Sequence, residues 1–296
     1  AVLLVVMMVF SISACGKKEE PENPYENYKV AMVSDTVGTD QFILQALNQL
    51  KAMGEQFGFE VTTVECAESS AWAEKSRVLC EEGYNLIVGV GWTSASPLSE
   101  LAEEFKEVEF AVIDTVAANE RIMSVNFNTV KGAYVMGAVI GTAFADDELF
   151  GYIGNFEQQS NFEYEYGFRM GVLSVNPDAK FLCNYANSYA DTQATYNLAQ
   201  QQAAQGARFI MGSVANSANA GIYQYALETA AEGSPIYTSG LSVDQTTADN
   251  PYIVSGLTKN TAIAMEIIVK DFLEDGKVTA GKTTLSVVEN GFCVVG

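Results

Sequence analysis

Histidine is absent from this 296-residue chain. That removes the Ser-His-Asp and Cys-His nucleophile systems, the commonest general base and the commonest zinc ligand. An enzyme built from this sequence would have to work with carboxylates, and no enzyme is expected. Positive charge is scarce as well. Lys+Arg total 16 against 37 Asp+Glu, a net charge of −21, and the only arginines are Arg77, Arg121, Arg169 and Arg208. Such a surface repels nucleic acid and anionic lipid headgroups, so neither is an expected partner. It also leaves few side chains to clamp an anionic ligand. The five cysteines, at 15, 66, 80, 183 and 293, form no CxxC pair, so a thioredoxin-like or metal reading has no support, and no cofactor or metal is expected. The last four read as small buried hydrophobes, Cys80 at an apolar helical position and Cys183 inside a strand.

The apolar run over residues 1–10 is too short for a bilayer, which needs about 20 residues, but suits the apolar part of a signal peptide. It ends in Ser11-Ile12-Ser13-Ala14-Cys15. Small residues before a cysteine resemble the lipobox of bacterial lipoproteins, in which Cys15 is diacylated and becomes the mature N-terminus. With no initiator Met or basic segment ahead of it, the sequence is expected to start inside the signal. The polar, Pro-bearing residues 16–27 are a solvated tether. Two acyl chains anchor durably where one is marginal.

From Tyr28 the pattern is regular. Strand-like runs at 29–33, 59–64, 86–90, 110–113 and 122–127 alternate with helical stretches at 71–82 and 97–105. Ile43, Ala46, Leu47, Leu50, Met53 and Phe57 mark one helix face. A second series follows: strands at 150–153, 180–183, 209–211, 236–237 and 253–257, and helices at 130–144, 162–175, 192–205, 220–231 and 262–273. In the first of these helices Gly132, Gly137 and Gly141 permit close packing. Strands alternating with helices predict a parallel sheet covered on both faces. We read an α/β chain with two doubly wound parallel-sheet lobes. Lobe 1 takes residues 28–127 and 252–283, lobe 2 takes 128–251 and 284–296, and the chain crosses near Asn128, Pro251 and Thr283.

Ligands of parallel α/β sheets bind beyond the carboxyl ends of the strands. The loops placed there carry Asp35 and Asp40; Trp92; Asp114, directly ending its strand; Phe156; and Ser242 with Asp244. Asn-, Ser- and Tyr-rich loops at 184–191 and 212–219 join them. Aromatics, hydroxyls, amides and a few carboxylates suit a neutral polyhydroxylated ligand with a flat face, a sugar or a nucleoside. Gly89-Val90-Gly91 lacks the third glycine and acidic ribose contact of a dinucleotide turn. The aromatics of Phe162-Glu163-Tyr164-Glu165-Tyr166 read as helix core rather than ligand platform.

Several segments resemble the basic membrane protein (Bmp) family of ABC-transporter substrate-binding lipoproteins, which includes purine nucleoside receptors. They are Val30-Ala31-Met32-Val33-Ser34-Asp35 with Asp40, Gly89-Val90-Gly91-Trp92, Phe110-Ala111-Val112-Ile113-Asp114, Gly132-Ala133-Tyr134-Val135-Met136-Gly137, Gly167-Phe168-Arg169-Met170-Gly171-Val172 and Ser255-Gly256-Leu257-Thr258-Lys259. The resemblance runs from about Lys29 to the end. It implies a type I periplasmic-binding-protein fold, two lobes joined by a three-strand hinge, with Asp35, Asp114 and Lys259 as ligand contacts. Three positions depart from the family pattern. Its Phe-Asn falls on Ile43-Leu44, with the aromatic displaced to Phe42; a glycine-rich turn reads Asn216-Ser217-Ala218-Asn219; and its Val-Asp reads Leu241-Ser242, leaving Asp244. Gly296 comes sooner than the resemblance leads one to expect, as if a C-terminal piece were missing.

The reading is a monomeric, lipid-anchored solute-binding protein on the extracytoplasmic face of the cell membrane. It captures a small polar ligand, most simply a purine nucleoside, and delivers it to an ABC permease. Phe42 and Trp92 would stack a base, and Asp35, Asp114, Ser242 and Lys259 would read polar groups. The alternatives are a binding protein for a sugar or other small metabolite, a sensor without transport, and a nucleoside hydrolase holding calcium between Asp35 and Asp40.

Overall fold

A computed structural model describes residues 23–38, 40–68, 70–247, 249–286 and 291–295. Cys15, the signal segment and the start of the tether lie outside the described residues, as do the side chains of Asn216 and Cys293.

The first series forms β1 (Lys29–Ser34), α1 (Gln41–Phe57), β2 (Glu60–Glu65), α2 (Ala71–Glu81), β3 (Leu86–Val90), α3 (Ala95–Glu104), β4 (Glu109–Ile113) and β5 (Met123–Phe127). The second forms α4 (Thr129–Ala143), β6 (Leu149–Gly154), α5 (Gln159–Val175), β7 (Lys180–Tyr185), α6 (Thr192–Ala204), β8 (Phe209–Ser213), α7 (Asn216–Ala231), β9 (Tyr237–Ser242) and β10 (Ile253–Lys259). Then come α8 (Thr261–Asp275), β11 (Gly281–Leu285) and β12 (Phe292–Val295). One sheet runs β2-β1-β3-β4-β5-β11, the other β7-β6-β8-β9-β10-β12. All neighbours pair in parallel except β12, which runs antiparallel to β10.

The central strands are apolar on both faces, as a doubly covered parallel sheet requires. All five residues of β3 are buried. Along β1, Val30 and Met32 face the cluster under α1 and α8, while Ala31 and Val33 face the one under α2 and α3. This is the two-residue period of a strand. The first cluster runs on through α4 and α5 of the second lobe, so one apolar body spans both sheets on that side. α4 and α5 cross at very short range because glycines face each other. A Cβ on Gly171 would sit 2.1 Å from the Tyr134 carbonyl oxygen, and one on Gly137 would sit 2.2 Å from that of Phe168.

Two lobe boundaries differ from the sequence division. β10 pairs with β9, so it belongs to the second sheet, and the chain crosses at Asn260 rather than Pro251. The Asn-Pro turn carries the composition of a linker, yet Asn250 is buried and donates to the Tyr223 carbonyl at 3.1 Å, so the turn lies inside the second lobe. β11 stays in the first sheet through Leu285, so the last crossing follows Leu285 rather than Thr283. Its Lys-Thr-Thr centre is exposed at a sheet edge, which hides it from a hydrophobicity reading. The first crossing is at Asn128. Asn128 and Asn260 are each followed by a buried threonine, and each caps the next helix, accepting from the amides of Lys131 and Ile263 at 3.1 Å. The same Asn-Thr device turns the chain from sheet to opposite lobe twice.

Candidate functional site

Parallel strands bring their carboxyl ends to one edge of each sheet. The two edges meet where Asp114, just after β4, faces Lys259, the last residue of β10. The Lys259 Nζ donates to both carboxylate oxygens of Asp114, at 2.8 and 2.9 Å. Only 11% of the lysine side chain and 21% of the aspartate side chain are exposed. The contact bridges the lobes with one charge from each. Burial works against the Lys259 charge, but the Asp114 carboxylate and the Tyr164 hydroxyl outweigh it and hold the ammonium above the ordinary lysine range. Lysine is therefore charged throughout the neutral range.

Asp114 adopts a left-handed backbone (φ 63), and so does Ser242 (φ 64), at the end of β9. β4 and β9 occupy equivalent places in their sheets. Non-glycine residues reach this region at a cost of roughly 1–2 kcal/mol, and such strain concentrates at functional sites.

A fourth side chain closes the group. Tyr164 comes from α5 and is buried, with the Lys259 Nζ 5.7 Å from the centre of its ring. Burial raises the Tyr164 pKa against the pull of the nearby ammonium, so it stays a neutral phenol. The sequence reading assigned this tyrosine to the core. The available signal was a tyrosine on the same buried face as Phe168, because a buried hydroxyl requires a partner.

The remaining expected residues are less convergent. Asp35 is exposed after β1, and its Oδ2 accepts a long bond from Thr93 Oγ1 at 3.4 Å, linking the loops after β1 and β3. The loop is steadied by Glu65, which accepts from the Val37 amide at 3.0 Å. Trp92 is 72% exposed. Phe42 is half-buried against the core, and its carbonyl accepts from Thr261 Oγ1 at 2.6 Å. Phe156 packs on Tyr189 with ring centroids 4.9 Å apart. Two carboxylates are committed locally: Asp40 caps α1 through the Phe42 amide at 2.9 Å, and Asp244 holds its own turn through the amide and hydroxyl of Thr246.

In the second lobe the loops at the sheet edge are pinned by amides. Asn155 Oδ1 accepts from the Phe156 amide, Gln158 and Asn161, while its Nδ2 donates to the Val214 carbonyl at 2.8 Å. Asn161 Oδ1 accepts in turn from Tyr152 at 3.2 Å and Ser213 at 3.3 Å. The loops after β6 and β8 are thus preorganised by a buried network, which holds shape only because its members are paired. The three cysteines described are free thiols, and Cys66 and Cys80 are buried. Burial pushes Cys80 up to about 11 and, with the Glu165 carboxylate adding to it, Cys183 up to about 12. Among the described residues no group of acidic or cysteine side chains converges as metal donors, and no helix is long and apolar enough to cross a membrane.

The model of the family described as ABC transporter substrate-binding protein PnrA-like matches residues 28–294. Basic membrane protein A of Borreliella afzelii is 25% identical over 259 residues, covering 86% of this chain and 78% of the relative. An uncharacterized lipoprotein of Pyrococcus abyssi is 24% identical over 307 residues, covering 98% of this chain and 74% of that protein. Among solved structures, an ABC transporter solute-binding protein from Aeropyrum pernix superposes with a TM-score of 0.75 at 21% identity, covering 91% of this chain and 76% of the other. The chain belongs to the Bmp family of ABC-transporter substrate-binding proteins, on the type I periplasmic-binding-protein fold.

Proposed function

We propose that this member of the family is a monomeric lipoprotein, held by Cys15 at the extracytoplasmic face of the membrane, that captures a purine nucleoside between its lobes and passes it to an ABC permease. Substrate-binding proteins of this family bind small ligands and a permease, and relatives include a lipoprotein. The observation that carries the ligand reading is the Asp114–Lys259 pair where the sheet edges meet, a fixed acceptor suited to ligand hydroxyls. Phe42, Trp92 and Phe156 are the candidate base-stacking surfaces, and Asp35 and Ser242 the further polar contacts. Asp40 and Asp244 would shape their loops first, since one oxygen of each is engaged locally.

A second reading, a sugar or other small metabolite, is favoured by one residue. Ser242 stands where the family pattern carries an aspartate, so the site has one carboxylate beside Lys259 where the pattern has two. A thermal-shift screen over purine nucleosides, free bases and sugars separates the readings. Stabilisation by nucleosides alone supports the first, by sugars alone the second. Sensing without transport is distinguished by ligand uptake in cells with and without this protein: uptake that does not depend on it favours a sensor. Radioactive fatty-acid labelling tests the anchor: wild type is labelled and membrane-bound, Cys15→Ala is neither, and an unlabelled wild type refutes lipidation.

A further inference from the structure

Of the three α5 aromatics that read as helix core, only Tyr164 is buried; Phe162 and Tyr166 are exposed, Tyr166 by 59%. Met170, one turn beyond Tyr166, is exposed on the same side of the helix. α4 brings another apolar side chain beside them. A Cβ on Gly167 would lie 3.2 Å from the Tyr134 amide nitrogen, and one on Gly171 would lie 2.1 Å from the Tyr134 carbonyl oxygen. Tyr134 therefore stands against the α5 positions that directly follow Tyr166 and Met170, and it too is exposed. Aromatic and methionine side chains gathered on one exposed face have the composition of an interface core.

The first lobe carries the same helix pair with a polar outer face. α1 joins β1 to β2 as α5 joins β6 to β7, at the same place in each sheet, and α8 packs on α1 as α4 packs on α5. Counted from Gln41 and Gln159, which open α1 and α5, the buried positions coincide: Ile43 with Asn161, Leu50 with Phe168, Met53 with Gly171. On the outer side Tyr166 then stands where α1 has Asn48, and Met170 where it has Ala52. Counted from the Asn-Thr pair at the start of α4 and α8, Tyr134 stands where α8 has Glu266, which is ion-paired to Lys270. Packing of the helix pair does not require an apolar outer face, since the first lobe does without one.

We propose that the α4–α5 face, centred on Tyr134, Tyr166 and Met170, is the surface by which the second lobe docks on the extracytoplasmic side of the ABC permease. The proposal rests on the transport reading above but not on the identity of the ligand. Charge and reach select the occupant. A second copy would bring another −21 to the contact, and anionic lipid headgroups repel such a surface. Membrane proteins carry their excess of Lys and Arg on cytoplasmic loops. A permease therefore offers an acidic partner few cations on its outer side, and docking there needs apolar contact. Residues 16–22 separate Cys15 from Asn23, whose Nδ2 donates to the Phe57 carbonyl at 2.8 Å, at the end of α1. Fully extended, that stretch spans no more than about 30 Å, so an acylated chain stays beside partners in its own membrane.

The test gives the second lobe the first lobe's residues: Tyr134→Glu, Tyr166→Asn and Met170→Ala together. Leu227→Gln, at an exposed apolar position on α7, is the control. All are made in the full chain with Cys15→Ala, so that acyl chains do not bind the disc, and this parent chain is the reference. Binding to the permease–ATPase complex encoded beside this protein, held in nanodiscs, is read by biolayer interferometry. A saturating mixture of inosine, guanosine, D-ribose and D-galactose is present throughout. The triple variant is expected to lose at least about thirtyfold in affinity and Tyr166→Asn alone about fivefold to thirtyfold, the scale of interface anchors. Leu227→Gln should stay within about twofold. Tyr166→Asn keeps the test informative if the triple variant does not fold. An unchanged affinity in the folded variants, or an equal loss in the control, overturns the proposal and leaves the transport reading standing. A parent chain that does not bind the complex overturns both. Two rival occupants are read on the same proteins. A parent dimer in sedimentation equilibrium that the triple variant dissociates would give the face to a second copy. Parent binding to protein-free phosphatidylglycerol vesicles that the triple variant loses would give it to lipid. Either result overturns the proposal.

Discussion

Replacing Asp114 with alanine removes one half of the largely buried ion pair that bridges the lobes. Its carboxylate takes two hydrogen bonds from a lysine that is 11% exposed, and it is itself 21% exposed. Removing one partner of a wholly buried pair costs about 3–5 kcal/mol, because the other charge is stranded; the residual exposure here reduces that to about 2–3 kcal/mol. Alanine also tolerates the left-handed backbone less well than aspartate, adding up to about 1 kcal/mol. The expected destabilisation is about 2–4 kcal/mol, a fall in Tm of roughly 5–15 °C at about 2–4 °C per kcal/mol. Asp114→Gly separates the parts: it relieves the backbone but not the stranded ammonium, so it should recover no more than about 1 kcal/mol. Ligand affinity is a second readout. Two charge-assisted bonds of roughly 1.5–3 kcal/mol each put the loss in Asp114→Ala at about two to four orders of magnitude. Differential scanning calorimetry and titration calorimetry with the ligand found in the screen measure both. A destabilised Asp114→Ala protein with near-wild-type affinity would refute the ligand role and leave only the bridge. A protein of unchanged stability would refute the energetics of the bridge itself.

Three further outcomes follow from the same structure. Gly171→Ala should destabilise by about 1–3 kcal/mol, since its Cβ would meet the Tyr134 carbonyl at 2.1 Å and force α4 from α5; urea unfolding checks it, and a stabilised variant would contradict the crossing. The buried Cys80 thiol, raised to about 11, makes stability whole below about pH 9, the ordinary thiol value, and lost as pH rises toward 11, by about 1.4 kcal/mol per pH unit, because the unfolded chain ionises first. Unfolding at pH 8 to 11 should then show a shallower decline in Cys80→Ala than in wild type, and equal slopes would count against it. Ligand saturation should shrink the particle in small-angle scattering, as hinge equilibria shift toward closure. An unchanged profile at demonstrated saturation argues for rigid lobes.

The family's fold was legible from residue 28 onward because its signals are local. Apolar runs such as Leu-Ile-Val-Gly-Val at β3 and the three- and four-residue spacing of α1 need no knowledge of distant contacts. The strand ending in Asp114 could be placed at a ligand edge by topology alone. Asp40 and Asp244 were sensible candidates on the same logic, yet a short carboxylate beside an amide is equally suited to capping, and nothing in the local sequence separates the two uses. The lobe boundary at Asn250-Pro251 failed for a similar reason: a turn inside a lobe and a linker between lobes have the same composition.

Sequence by itself determined the kind and order of the elements from β1 to α8, the acidic composition, the lack of histidine chemistry and the candidacy of Asp114 and Lys259. Tertiary structure alone decided that these two residues, 145 positions apart, form one ion pair, and that Tyr164, which reads as helix core, lies beside the lysine. It alone decided that β10 joins the second sheet while α8, directly after it, packs in the first lobe. The reason is physical. Periodicity and propensity report on a residue's neighbours along the chain, whereas strand order, side-chain convergence and the charge state of a buried lysine depend on which surfaces exclude water together.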